Sequence, residues 1–189
     1  MSEQFFLIFF EMDSDKEKFW FVGMVKSCQE KKVSERLAVL GYEHYLPVQR
    51  VVRKWSDRRK VVDKLVLPRY IFVRCTESER VRSLEMVPAL FAYLMDSVPR
   101  RPARVRESDM RSFRMMVEHG ESEVAFVEAD LSAGDVVKVV NGPLKGIECR
   151  LVKVLDNALV AVSLGRIGYA TMELPPSAVR KIPEESLVR

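Results

Sequence analysis

The sequence predicts an α+β protein made of two successive domains, and three observations lead to this prediction. Amphipathic helical segments alternate with β-branched strands over residues 16–119. Residues 132–183 contain only short strands separated by glycine and proline, and the acidic stretch 120–131 between the two regions has no helical stripe. Helices mixed with antiparallel strands indicate an α+β domain, whereas closely spaced short strands indicate a small barrel. Residues 1–15 precede both domains as an extension.

The composition is that of a globular protein with a slight basic excess. The 189 residues carry a formal net charge of +4, and 48% of them are hydrophobic. This length suits one large or two small domains, and the positive charge permits nucleic acid as a partner. The sequence has three widely spaced cysteines, Cys28, Cys75 and Cys149, and no C-x-x-C motif. This spacing argues against a disulfide framework or a zinc site, and it fits a reducing cytoplasm.

The extension contains an apolar run, FFLIFF, at residues 5–10. The run is too short to span a bilayer, and acidic residues follow it, so we expect neither a membrane span nor a signal peptide. An extra strand packed on the body and a partner-binding segment both fit the run, and the sequence does not decide between them.

The first domain shows the element order β-α-β-β-β-α-β-α. A strand at residues 20–25 precedes a helix at residues 28–40, in which Val33 and Leu37 share one face. This order is typical of a split βαβ, ferredoxin-like sheet. The later elements are a strand at 42–47, a hairpin at 48–66, a strand at 67–73, a helix at 77–86, a strand at 90–95 and a helix at 108–118 capped by Ser108.

The second domain contains five predicted strands with tight turns between them. They lie at residues 135–140, 147–155, 159–164, 169–174 and 178–182. Five short strands of this spacing are typical of an SH3-like barrel. Glycine and proline recur along the domain and would interrupt long helices, so we expect it to remain a β-barrel.

The stretch at residues 134–154, GDVVKVVNGPLKGIECRLVKV, carries the most specific pattern in the chain. Asn141-Gly142-Pro143 breaks a β-branched run, because Asn and Gly tolerate left-handed backbone and Pro supplies no ladder donor. Gly146 then precedes a second, basic strand, at a point where strands of a small barrel cross closely. Any β-hairpin would show part of this pattern. The whole pattern resembles the KOW motif of NusG-type and ribosomal proteins.

Three motifs of the first domain, in order, resemble the NusG/RfaH family of transcription elongation factors. Trp20-Phe21 opens the first strand, LPRYIFV occupies residues 67–73, and Val87-Pro88 precedes the next strand. The chain thus resembles a NusG N-terminal domain followed by a KOW domain. The extension and the short Arg-rich hairpin further resemble the UpxY-type antiterminators encoded with capsular polysaccharide loci. The resemblance implies a cytoplasmic, non-enzymatic factor that suppresses premature termination in polysaccharide biosynthesis operons.

The resemblance also implies a surface that binds RNA polymerase. In the family, apolar positions form a cavity that grips the clamp helices of the largest polymerase subunit. The matching residues here are Met24, Leu67, Tyr70, Phe72 and Phe113. Each of them alone is compatible with a core position. Together they exceed what one side of a thin sheet buries, and an aromatic, Met-containing concavity suits an amphipathic coiled-coil tip.

Two basic clusters are predicted to bind nucleic acid of the elongation complex. The predicted contacts are Lys26, Lys32 and Arg36 around the first helix and Arg53, Arg58, Arg59 and Lys60 on the hairpin. A merely solvated charged surface is the alternative. The expected partner is the upstream duplex, the non-template DNA strand, or a nascent RNA or leader element, and Trp55 is suited to stack on a base.

The loop at residues 163–168, SLGRIG, is the third predicted contact. In the family this loop helps bind ribosomal protein S10, and in NusG the barrel also contacts the termination factor Rho. Leu164 stands where the common NusG form has an aromatic residue, which implies a weaker S10 contact and no productive Rho contact. We expect Leu164, Arg166 and Ile167 to bind an accessory partner, unless Leu164 and Ile167 only plug the barrel end.

The sequence contains no recognisable catalytic constellation, cofactor motif or metal-ligand spacing. His44 and His119 are the only histidines, and no P-loop, G-x-G-x-x-G or G-x-S-x-G is present. We therefore expect no enzyme activity, cofactor or metal. We also expect a monomer without membrane contact. Two alternatives to a transcription factor remain, a ribosome-associated KOW-domain RNA-binding protein and an unrelated scaffold. Co-purification with polymerase, with ribosomal subunits or with neither distinguishes the three.

Overall fold

The computed structural model describes residues 17–54, 59–98, 100–128, 134–154 and 156–182. The predicted extension at 1–15, Trp55 and Arg58 lie outside these described residues. The described residues fall into two compact units: a first unit up to residue 46 together with residues 67–107, and a second unit of residues 47–66 together with the chain from residue 108 onward.

Along the described chain, strands and helices follow in this order: β1 (Phe19–Val25), α1 (Glu30–Val39), β2 (Glu43–Tyr45), β3 (Val48–Lys54), β4 (Arg59–Leu65), β5 (Tyr70–Cys75), α2 (Glu77–Met86), β6 (Leu90–Tyr93), β7 (Arg104–Val105), α3 (Glu107–His119), β8 (Ala125–Val127), β9 (Val136–Val139), β10 (Glu148–Val154), β11 (Ala158–Ser163), β12 (Tyr169–Leu174) and β13 (Val179–Lys181). None of the helices in the described parts has the length and apolar content that a membrane crossing requires.

The first unit is an antiparallel sheet with the strand order β2-β5-β1-β6, in which β7 also pairs with β1. Alternate residues of β1 and β5 contribute to a core with side chains of α1, and α2 is fixed at its start by a capping box between Thr76 and Glu79. The core cluster, whose members are each at most 5% exposed, consists of Phe21, Val25, Val33, Leu37, Ile71, Val73, Cys75, Val87, Leu90 and Tyr93.

The predicted α+β class is confirmed, and the boundaries differ where the backbone turns. α1 begins at Glu30 rather than at residue 28, because Cys28 has a φ of 61° that a right-handed helix does not allow. β5 begins at Tyr70 rather than at residue 67, because Arg69 has a φ of 69°. The predicted cap at Ser108 is wrong, since α3 already begins at Glu107. The two-residue strand β7 had no signal in the sequence.

The second unit contains the β3–β4 hairpin, α3 and a six-stranded antiparallel sheet with the order β13-β9-β10-β11-β12-β8. All five strands predicted for the C-terminal region are present. The sixth, β8, lies in the stretch 120–131 that the sequence predicts as a linker, and it pairs with β12 through Val127 and Tyr169. The sequence did not predict β8, because the strand is only three residues long and acidic residues surround it. Phe126 and Val127 are half-buried.

Candidate binding surfaces

One face of the first unit's sheet carries most of the predicted polymerase-binding residues. Side chains alternate along a strand, so those of Trp20, Val22 and Met24 lie on the face opposite Phe21 and Val25. Directly across the β1–β5 ladder, Met24 pairs with Tyr70 and Val22 pairs with Phe72. We call the face formed by Trp20, Val22, Met24, Tyr70 and Phe72 the second face, because the core with α1 lies on the other.

The predicted polymerase-binding residues differ in exposure and in location. Met24 and Tyr70 are half-buried, whereas Phe72 is fully buried. Leu67, which precedes β5, is 2% exposed. Phe113 is fully buried and lies on α3 in the second unit. The structure therefore brings Met24, Tyr70 and Phe72 together on one face, and the accessible part of that set is Met24 and Tyr70. Their binding role stays a prediction.

A buried indole anchors the second face, and no pattern in the sequence indicates its partner. The Nε1 of Trp20 donates a hydrogen bond to the Glu107 carboxylate at 3.0 Å, and the Arg74 guanidinium lies 3.3 Å from the same oxygen. Glu107 is the first residue of α3 and is 87 positions away from Trp20 along the chain. A bond over this separation appears only in the folded chain, where it fixes the ring of Trp20.

The basic cluster around α1 is exposed, and its binding to nucleic acid stays a prediction. The side chains of Lys26, Lys32 and Arg36 are accessible, and no ion pair joins them to another described residue. Lys32 and Arg36 are four positions apart on α1, so they lie on the same side of the helix. The structure thus places these two cations together.

The basic cluster of the hairpin is exposed in its described part. Arg53 lies directly opposite Lys60 in the β3–β4 ladder, and Arg59 precedes Lys60. Like charges directly across a ladder destabilise a strand pair, so bound anions would stabilise this one. The nearby Arg50 pairs with Asp63 at 3.8 Å and is compensated. Arg58 completes the prediction but lies outside the described residues.

The loop between β11 and β12 places its three predicted contacts differently. Leu164 is fully buried and Ile167 is 6% exposed, whereas Arg166 is exposed. This burial favours the alternative in which Leu164 and Ile167 pack inside the second unit. Gly168 has a φ of 131°, and a Cβ there would lie 2.3 Å from the Val127 carbonyl oxygen, so only glycine fits.

The described residues show no metal centre. They contain no cluster of three or more His, Cys, Asp or Glu placed to hold a metal ion. Both ring nitrogens of His44 are engaged, Nδ1 with the Tyr42 carbonyl at 2.9 Å and Nε2 with the Ser34 hydroxyl at 2.8 Å. A polar cavity of about 230 Å³ beside Tyr42 and Arg82 is smaller than the usual small-molecule site.

Comparison with known proteins identifies the family. The sequence model of the family described as transcription termination factor NusG matches residues 18–114, more than half of the chain. The chain belongs to the NusG family. This match confirms the family predicted from Trp20-Phe21 and LPRYIFV, and it covers the whole sheet of the first unit. The protein is accordingly a NusG-family transcription factor.

Solved structures of NusG and of Spt5 align with most of this chain. NusG from Thermotoga maritima, from a study of its domain interaction, is 20% identical with a TM-score of 0.45, and the alignment covers 88% of this chain and 98% of that one. The MjSpt4:Spt5 complex in conformations A and B is 14% identical with a TM-score of 0.30, over 86% and 87% of this chain and 97% of that one. No curated protein matches the sequence.

Proposed function

We propose that this protein is a specialised elongation factor that binds RNA polymerase through its second face, contacts nucleic acid of the elongation complex and suppresses premature termination in polysaccharide biosynthesis operons. The observation that carries the proposal is the second face itself, within the region matched to the NusG family. The family match covers the N-terminal region, which a ribosome-associated KOW protein would not explain.

The second face has the chemistry that an amphipathic helical partner requires. Tyr70 presents an aromatic ring with a polar edge, and Met24 directly opposite it offers a flexible, polarisable side chain. The buried side chains of Val22 and Phe72 hold this pair on a rigid strand ladder. The clamp helices of the largest polymerase subunit, the partner implied by the sequence resemblance, form a coiled coil whose tip suits such a surface.

The two basic clusters supply the contact with nucleic acid. Lys32 and Arg36 on α1 and Arg53 and Lys60 on the hairpin are exposed cations without an ion pair among the described residues. Each phosphate they neutralise releases counterions, which favours binding to the upstream duplex, the displaced non-template strand or nascent RNA.

The C-terminal sheet is the KOW domain in this proposal, with the SH3-like architecture that five short strands and tight turns predict. The close strand crossing expected at Gly146 is wrong, since an added Cβ there would meet nothing within 4 Å. The φ of 98° at Gly146 is the reason that this turn favours glycine. Arg166 is the exposed residue of the loop to which we assign an accessory partner such as ribosomal protein S10.

The test is the affinity of core RNA polymerase for the Tyr70→Ala variant. Loss of an aromatic anchor is expected to weaken binding about 30-fold, as an anchor contributes about 2 kcal/mol. Tyr42→Ala is the matched control, because Tyr42 is also half-buried but packs against the core on the other face of the sheet. The proposal is wrong if both folded variants bind like the wild type, or if both lose affinity equally.

A further inference from the structure

Backbone strain in the described chain is concentrated at one junction of the first unit. Only two of the described non-glycine residues have a positive φ, Cys28 with 61° and Arg69 with 69°. Cys28 lies between β1 and α1, and Arg69 lies immediately before β5. Residues with a Cβ avoid this conformation, and they keep it only where the surrounding structure imposes it, frequently at functional sites.

A buried carboxylate joins the two strained segments. Oε1 of Glu30 accepts a hydrogen bond from the backbone N–H of Arg69 at 2.9 Å. The carbonyl oxygen of Arg69 in turn accepts from the backbone N–H of Val25, the last residue of β1, at 2.8 Å. The turn before β5 is therefore held on one side by α1 and on the other by β1.

The side chain of Glu30 is buried rather than solvated, and it does not cap its own helix. The residue is only 5% exposed, and a buried carboxylate is costly unless it is hydrogen-bonded. It stands at the first position of α1, where the helix dipole stabilises a negative charge, and its hydrogen bond is directed to a segment 39 positions away. Its described interaction is with the turn that leads into Tyr70.

We infer that Glu30 is a positioning residue for the polymerase-binding face, and that it acts by holding Arg69 in its left-handed conformation. The inference rests on the proposed function. Met24 and Tyr70 form the last pair of the β1–β5 ladder, next to the turn. If Arg69 relaxes to a negative φ, the entry of the chain into β5 changes, and Tyr70 is the first residue displaced. Glu30 therefore sets the fraction of molecules in which Tyr70 lies correctly opposite Met24.

Five variants of the full chain test the inference by their affinity for core polymerase. Glu30→Ala removes the acceptor and should weaken binding about tenfold, the value of one hydrogen bond to a charged group. Glu30→Gln keeps an acceptor oxygen and should stay within about threefold. In an Arg69→Gly background, glycine adopts the positive φ without help, so adding Glu30→Ala should cost less than about threefold. Tyr70→Ala tests the contact itself.

Different outcomes separate the inference from the function on which it rests. Unchanged affinity of Tyr70→Ala contradicts the polymerase contact and the inference together. If Tyr70→Ala weakens binding but Glu30→Ala does not, the positioning role alone is wrong. The positioning role is also wrong if Glu30→Ala lowers the affinity equally in the wild-type background and in the Arg69→Gly background. Glu30 would then act in some way other than holding the backbone of Arg69. The backbone amide proton of Arg69 should shift upfield in the NMR spectrum of Glu30→Ala, and an unmoved resonance contradicts the hydrogen bond.

Discussion

The three cysteines have different environments, which determine their reactivity. Cys75 and Cys149 are buried, and burial raises the pKa of each thiol to about 12. Cys28 is exposed. The thiolate is the nucleophile that attacks a thiol reagent, and a thiol whose pKa lies well above the ambient pH remains protonated.

We therefore predict that one thiol per native chain reacts rapidly with a thiol reagent at pH 8, and that all three react in denaturant. Cys28→Ser should abolish the rapid phase, and a rapid phase that survives this change would contradict the assignment.

Because folding raises the pKa of Cys75 and Cys149, the stability linked to them is complete below about pH 9, where the unfolded thiols ionise, and is lost as the pH rises towards 12. Urea unfolding at increasing pH measures this loss.

The sequence could place individual side chains on a face, but it could not determine their exposure. The resemblance to the NusG family grouped Met24, Tyr70 and Phe72, and the pairing of β1 with β5 brings them onto one face. The full burial of Phe72 and Phe113 and the bond between Trp20 and Glu107 depend on segments distant in the chain. Periodicity within one segment contains no information about such partners.

The hairpin is an element in which stability and binding should respond in opposite directions. Arg53 and Lys60 face each other across the ladder, and neutralising them removes a repulsion worth a few tenths of a kcal/mol. We predict that the variant Arg53→Gln, Arg59→Gln and Lys60→Gln is slightly more stable than the wild type without nucleic acid. The same variant should bind DNA in the elongation complex more weakly, with a salt slope reduced by about 0.7 per lost single-strand contact or about 0.9 per duplex contact.

Arg50→Gln is the control for the hairpin variant, because Asp63 already compensates Arg50. Its salt slope should match that of the wild type. Equal slopes for the triple variant and the wild type, measured by titration at several salt concentrations, would show that the hairpin cations are only solvated.

The hairpin also holds the stretch before β8 by a side-chain clamp. The amide of Gln49, a residue only 5% exposed, donates to the Ser122 carbonyl at 3.0 Å and accepts from the Val124 N–H at 2.9 Å. Lys64, directly opposite Gln49 in the ladder, forms an ion pair with Glu123, and this pair lowers the pKa of the Glu123 carboxyl. The stretch is thereby ordered up to β8.

We predict that Gln49→Ala lowers the free energy of unfolding by about 1–3 kcal/mol, because a buried N–H and a carbonyl lose their partner. Lys64→Ala breaks an exposed ion pair of the same clamp and should cost at most about 1 kcal/mol. Urea unfolding measures both values, and hydrogen exchange at the Val124 amide should accelerate only in Gln49→Ala. Equal costs for the two variants would contradict a clamp that depends on the buried amide.

Elements with a strong local pattern were predictable, and elements that depend on pairing were not. The five C-terminal strands and α2 agree with the predictions, because β-branched alternation and the Thr76–Glu79 capping box are local signals. β7 and β8 are two and three residues long and exist only because β1 and β12 offer ladder partners. The strained conformations of Cys28 and Arg69, which shorten α1 and β5, have no sequence signature either.

The division of the whole chain into units differs from its division along the sequence. The sequence predicts domains at 16–119 and 132–183 with a linker between them, whereas the compact second unit includes the hairpin and α3. The chain leaves the first unit after residue 46 and returns to it at residue 67. Local composition contains no signal that residues 47–66 belong to the second unit. The predicted domain boundaries therefore stay a prediction.

Termination efficiency is the property of the whole molecule that distinguishes our proposal from the description of the family as a termination factor. In our proposal the protein holds polymerase by its second face and nucleic acid by its hairpin, and both contacts would stabilise the elongating complex. Leu164, which the sequence resemblance places where the common NusG form has an aromatic residue, is buried. In our proposal this substitution removes a ring that Rho would contact. We predict that the full chain raises the yield of full-length transcript from a template with a Rho-dependent terminator. Tyr70→Ala should lose this effect and Tyr42→Ala should keep it, whereas a chain that increases termination would contradict antitermination while leaving the polymerase contact intact.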